Sequence, residues 1–185
     1  NYTTSKEAYP VLYILDGQWF FTNGVAIQKS LRTPGAIPEM IVVGIKNENP
    51  LRRTLFNGER QKFTSFLKDE VIKFIDDKFR TTNERVIYGW EAAAYYISKL
   101  ILEEKDLFQG AIITDGGYAS EKLVENFKSD SHVYLYIANS KRDIYYIDST
   151  EEFNRILKKH NPKNLLWKYE LSNDEVHETM PHLAM

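Results

Sequence analysis

The residues most able to do chemistry lie in the run Arg85-Val86-Ile87-Tyr88-Gly89-Trp90-Glu91-Ala92-Ala93-Ala94-Tyr95. A short β-branched stretch meets a glycine, turns, and enters an alanine-rich helix. A strand-to-helix turn of this kind, lined by small residues, is where a G-x-S-x-G elbow presents its nucleophile. Gly89 and Ala93 keep the small neighbours that such a turn needs, but the nucleophile position holds Glu91. A glutamate is already an anion, cannot be turned into an alkoxide by a histidine, and attacks an ordinary ester weakly. Other groups offer less. Ser98, Ser120 and Ser140 stand at no elbow. His132, His160 and His182 show no metal-ligand spacing, and no H-E-x-x-H pattern occurs. Asp115-Gly116-Gly117 reads as a turn and not a phosphate loop, because no G-x-G-x-x-G follows a strand. No metal and no cofactor are expected.

The elements around this run form a series. Apolar stretches at Val11–Leu15, Met40–Ile45, Val86–Tyr88, Ala111–Thr114, Val133–Ala138 and Leu165–Tyr169 read as strands, the first buried on both faces. Phe63, Phe66, Leu67, Val71, Phe74, Ile75 and Phe79 recur at helical spacing, with Lys68, Asp69, Lys73 and Asp76 opposite. Residues 91–102 form an apolar helix. Ser149-Thr150-Glu151-Glu152 has the pattern of a capping box opening another. Alternating strands and helices predict an α/β fold, a mostly parallel central sheet with helices on both faces. Ligands of such sheets bind at the carboxyl ends of the strands. Asp16-Gly17, Gly89–Glu91, Asp115–Gly117 and Asn139–Asp143 should gather there. Residues 46–50 read as a turn-rich loop, and 50–62 as the weakest stretch. No domain boundary is visible, so 1–185 is expected to be one domain.

Composition bounds the function. The 185 residues carry a net charge of −2, 43% hydrophobic and 27% charged side chains, which suits an ordinary globular chain with one sizeable core. Nothing suggests nucleic acid or an anionic membrane as partner. No apolar run is long enough for a transmembrane helix. With no cysteine, disulfides and thiol catalysis are excluded, and the compartment is left open.

The order of blocks resembles the putative esterase family, which includes esterase D and the enterochelin (ferric siderophore) esterases. Tyr9–Gly17 is similar to that family's opening strand. Ile41–Ile45 with Asn47 and Arg52-Arg53 is similar to its second block, and Phe63–Phe79 to the helix before its elbow. Arg85–Gly89 matches the strand feeding the elbow, Asp106–Ile113 the block after it, and Asn173–Pro181 the C-terminal histidine segment. The resemblance spans nearly the whole chain and implies an α/β-hydrolase three-layer sandwich. It also shows departures. The family's G-H-S-x-G-G reads Gly89-Trp90-Glu91-Ala92-Ala93-Ala94 here. The loop between Arg52-Arg53 and Phe63 is short, and Met185 comes early for the final helix, so parts near 50–60 and at both ends are expected to be absent.

The family's catalytic scheme assigns roles in the order nucleophile, acid, histidine. The resemblance places Glu91 at the nucleophile position, His177 as base, and Asp143 as acid with Asp148 as second choice. The oxyanion donors would be the backbone N–H groups of Ala92 and of the Gly17-Gln18-Trp19 loop, represented by Gln18. Trp19, Trp90 and Tyr118, with Phe20, Phe21 and Tyr145, could line a pocket or belong to the core. If His177 sits beside Glu91, the two should form a salt bridge and not a nucleophile–base dyad. Three functions stay open: a catalytically impaired homologue that binds a small-molecule ester or siderophore-like ligand; an active ester hydrolase, with serine-type chemistry or the carboxylate nucleophile that haloalkane dehalogenases and epoxide hydrolases of this fold use; and a protein-interaction domain of a longer chain.

Overall fold

The computed structural model describes residues 2–47 and 51–183. Glu48, Asn49 and Pro50, assigned above to a turn-rich loop, lie outside the described residues. Six strands, β1 (Tyr9–Leu15), β2 (Ile41–Ile45), β3 (Thr81–Trp90), β4 (Gly110–Thr114), β5 (Val133–Ser140) and β6 (Leu165–Ser172), form one sheet in the order β2-β1-β3-β4-β5-β6. Every pairing is parallel, with Leu12 facing Val42 and Val86, and Ile112 facing Tyr136. All six expected strands form. This is the α/β three-layer fold, and parallel strands of this kind are covered on their faces, which suits the apolar sequences of β1, β2 and β4.

Side chains alternate between the two faces with the strand period of two. Val11, Tyr13, Leu15, Ile87, Ala111, Ile113, Leu135 and Ile137 point to the main core. There they meet α5 (Ala92–Glu103), α7 (Ile147–His160) and the helical stretch before β3. Leu12, Ile14 and Tyr88 point the other way, against Phe20 of α1 (Gly17–Arg32). The short α8 (Met180–Leu183) joins α1 on this second face: the His182 ring lies 6.0 Å from Phe20, and Tyr88 Oη donates to the Pro181 carbonyl at 3.2 Å. The second layer is thin. Beyond α1, toward the amino ends of the strands, an open groove of about 810 Å³ is floored by Leu12, Val86, Ile112, Tyr134 and Leu166.

Three local expectations change. Gly17 does not start a loop; it opens the sixteen-residue α1. A side chain there would stand 2.7 Å from the Gly44 carbonyl carbon, so glycine lets α1 sit directly against β2. The helix expected over Phe63–Phe79 runs as α3 (Arg60–Ser65), a π-wound stretch Phe66–Ile72, and α4 (Lys73–Lys78), after α2 (Leu51–Arg53) and a first π-wound segment, Thr54–Gly58. The wider winding rotates the face: Phe63, Leu67, Ile72 and Ile75 are buried, whereas Phe66, Phe74 and Phe79 are exposed. The capping box at Ser149 does not form, because α7 begins two residues earlier. Ser149 Oγ donates instead to the Tyr146 carbonyl.

Candidate functional site

Strain gathers at the carboxyl edge of the sheet. Asp16, Glu91 and Asp115 follow β1, β3 and β4, and all three have positive φ, at 54°, 55° and 41°. Such backbone is costly for a residue with a side chain, by about 1–3 kcal/mol each, and is kept where the surroundings over-determine it. Glu91, at φ 55° and ψ −119°, makes the sharp turn between β3 and α5. Its N–H donates to the Thr114 carbonyl at 3.1 Å, and its carbonyl accepts from Tyr95 N–H. The small neighbours are required. A Cβ on Gly89 would lie 2.9 Å from Ala93 Cβ, and one on Gly116 2.7 Å from the Glu91 carbonyl oxygen. These small residues let the backbone turn sharply at Glu91.

The Glu91 carboxylate is clamped. Arg52 Nη1 donates to Oε2 at 2.5 Å, Arg53 Nη2 to Oε1 at 3.0 Å, and Tyr146 Oη to Oε1 at 2.7 Å. Arg52 is buried, 5% exposed, and commits the rest of its guanidinium too. Nε donates to Asp16 Oδ1 at 2.8 Å, Nη2 stands 2.8 Å from Asp16 Oδ2, and Nη2 also donates to the Trp90 carbonyl. Asp16, fully buried, takes a further bond from Asn47. Burial alone would raise the Glu91 pKa. The Tyr146 hydroxyl and the two guanidinium groups outweigh it and hold the carboxyl below its ordinary 4.5. The expected Glu91–His177 salt bridge does not form among the described residues; the arginines take the carboxylate first.

His177 lies in the segment between β6 and α8, which the ends of other strands tie down. Trp90 Nε1 donates to the His177 carbonyl, Ser140 Oγ to the Glu175 carbonyl, and Tyr88 Oη to Pro181. The imidazole is packed between Trp90, with ring centroids 4.7 Å apart, and Tyr146, stacked at 5.4 Å and 20°. Its Nδ1 faces two carboxylates, Asp143 Oδ2 at 3.5 Å and Asp115 Oδ2 at 3.7 Å. Each aspartate is fixed by its other oxygen. Asp143 Oδ1 accepts from the N–H groups of Tyr145 and Tyr146, and Asp115 Oδ1 from Ser140 N–H at 2.8 Å. Both side chains are fully buried. Burial, with Asp143 and Glu178 nearby, pushes the Asp115 carboxyl up to about 7 against the pull of the Ser140 bond.

The other expected residues divide. Ala92 opens α5 and Gln18 lies in the first turn of α1, so their N–H groups lack intrahelical acceptors. Trp19, Phe20, Trp90, Glu178, Pro181 and His182 line a pocket of about 280 Å³ beside the elbow. Tyr118 is not in it; it stacks on Tyr95, 6.1 Å away. Tyr145 and Phe21 are exposed. Asp148 is an exposed first-turn residue of α7, away from His177. Ser98 bonds Tyr95 and Tyr118, Ser120 caps α6 (Glu121–Glu125), and Ser140 holds Glu175, so each has a structural task. Arg52, Tyr146 and Asp115 were not foreseen as site residues. The paired arginines before an aromatic-rich helix, and an aspartate ending a strand, were the available signals.

A family model described as "Putative esterase" matches residues 1–178. Among curated proteins, Uncharacterized protein YbbA of Bacillus subtilis is 24% identical over 147 residues, 71% of this chain and 59% of that protein. The chain therefore spans less than two thirds of that relative. Among solved structures, an IroE-like serine hydrolase from Shewanella oneidensis superposes with a TM-score of 0.86 at 23% identity, covering 99% of this chain and 69% of the other. The enterochelin esterase from Shigella flexneri gives 0.74 at 13% identity, covering 97% and 50%. At these identities the structural likeness speaks for the fold.

Proposed function

The chain belongs to the Putative esterase family, and on that premise we propose that it is a non-hydrolytic member, an esterase-like α/β-hydrolase scaffold that binds a small molecule without cleaving it. The observation that carries this reading is the clamp on Glu91. Its oxygens already accept from Arg52, Arg53 and Tyr146. A carboxylate in that state has its lone pairs engaged and its charge neutralised, so it makes neither a nucleophile nor a base. Attack by Glu91 would also require breaking its own contact with the buried Arg52. This weighs against the carboxylate-nucleophile alternative.

The scaffold keeps what binding needs. The pocket between Trp19, Phe20 and Trp90 offers flat aromatic walls, with Glu178 and His182 at its polar side. A small-molecule ester or siderophore-like ligand with an aromatic group suits those walls, and the similar Shigella flexneri protein is named an enterochelin esterase. The test is hydrolysis of a short-chain aryl ester by the native protein, by Glu91→Ala and by His177→Ala. All three should release product no faster than buffer. Turnover by the native protein that Glu91→Ala abolishes would overturn the reading.

A further inference from the structure

Two buried carboxylates and an imidazole converge beside the elbow with three atoms left over. Asp115 Oδ2, Asp143 Oδ2 and His177 Nδ1 are each buried without a hydrogen-bond partner. All three lie within 4.8 Å of one another. Unsatisfied buried polar atoms are costly singly, and a convergent trio calls for an explanation. A direct hydrogen bond does not supply it, because the separations of 3.5 and 3.7 Å from Nδ1 are too long. Negative charge also collects at this point. Asp143 and Glu178 both act on Asp115, while Arg52 and Arg53 are spent on Asp16 and Glu91.

We propose that Asp115 Oδ2, Asp143 Oδ2 and His177 Nδ1 form a three-ligand site for a divalent transition-metal ion of the zinc type. The spacing fits. With metal–ligand bonds of about 2.0–2.2 Å, the ligand atoms of a tetrahedral zinc site stand about 3.3–3.6 Å apart. The donor set fits as well: one imidazole and two carboxylates suit zinc and its neighbours, whereas magnesium and calcium favour oxygen alone. The supporting contacts are those that metal ligands require. Asp143 is oriented by the Tyr145 and Tyr146 amides, Asp115 by the Ser140 amide, and the imidazole by Trp90 and Tyr146. Three protein ligands leave a fourth position for water or a ligand group. The site stands on its own geometry and does not depend on whether Glu91 is inert.

The experiment is metal binding by the whole chain after treatment with a chelator and its removal. Equilibrium dialysis against Zn²⁺ should give one ion per chain. Co²⁺ should produce the visible absorption of a four-coordinate site and be displaced by Zn²⁺. Asp143→Asn and His177→Ala should each weaken binding by at least about tenfold. His160→Ala, which removes the half-buried imidazole beside Glu121, should leave binding unchanged. Absence of both zinc uptake and the cobalt spectrum in the native protein overturns the proposal, whatever the variants do. Binding that survives Asp143→Asn and His177→Ala, or that His160→Ala removes, overturns it equally. None of these results bears on ester hydrolysis, so the two readings fail separately.

Discussion

Arg52 Nη1 lies 2.5 Å from Glu91 Oε2, and the same guanidinium grips Asp16, so one buried cation ties the end of β1 to the elbow after β3. Glu91 is thereby part of a structural ion network. Two carboxylates share a buried arginine, and Arg53 adds a second positive charge from the solvent side.

The two arginines should therefore differ sharply on replacement. Arg52→Ala leaves Asp16 buried without its counter-charge and frees Glu91, which should lower stability by about 3–5 kcal/mol. Arg53 has a side chain 75% exposed, and Arg53→Ala should cost less than about 1 kcal/mol. Urea denaturation of both variants beside the native protein checks the contrast. Similar losses would mean that the network does not turn on Arg52.

Acid should loosen the clamp. The folded Glu91 carboxyl is held below its ordinary 4.5, so the unfolded chain takes up that proton first as pH falls. The stabilisation is complete above about pH 4.5 and drains away as pH drops through the folded value. Unfolding free energies measured from neutral pH down to acid should show a fall in the native protein that is shallower in Glu91→Gln. Two profiles differing only by a constant offset would contradict the assignment.

Much of this architecture is legible in the sequence. The strands announce themselves as short apolar runs, of which β1 is buried on both faces, and the elbow because Gly89 and Ala93 must be small. Glu91, His177 and Asp143 stand out for their places after strands. What sequence hides is who holds whom. Arg52 sits in a charged, nondescript stretch, and its partners are 36 and 39 residues away. Asp115 reads as a turn residue because turns favour aspartate, although its second oxygen faces His177. Tyr146 is overlooked beside Tyr145 because only the start of α7, set by Asp143, decides which ring turns inward. The π-wound turns shift the buried face by an amount that a 3.6-residue period cannot foresee.

The elbow packing gives a sharper test of shape. Alanine at Gly116 would put a Cβ 2.7 Å from the Glu91 carbonyl oxygen and 3.0 Å from Ala94 Cβ. Neither atom belongs to a flexible side-chain end, so Gly116→Ala should destabilise by about 1–3 kcal/mol. Gly58 has nothing within 4 Å of such a Cβ, and Gly58→Ala should be neutral or slightly stabilising. Thermal unfolding midpoints of the pair decide it; equal midpoints would mean that the elbow relaxes freely.

The central claim, that the elbow glutamate is a clamped structural anion, is tested most directly by titrating Glu91 itself. With glutamate labelled at the side-chain carboxyl carbon and the signal assigned by its loss in Glu91→Gln, carbon NMR follows that one group through acid. The account predicts a midpoint below the ordinary 4.5. A midpoint at or above that value would show a carboxyl that Arg52, Arg53 and Tyr146 do not hold in its charged form, and would contradict the clamp.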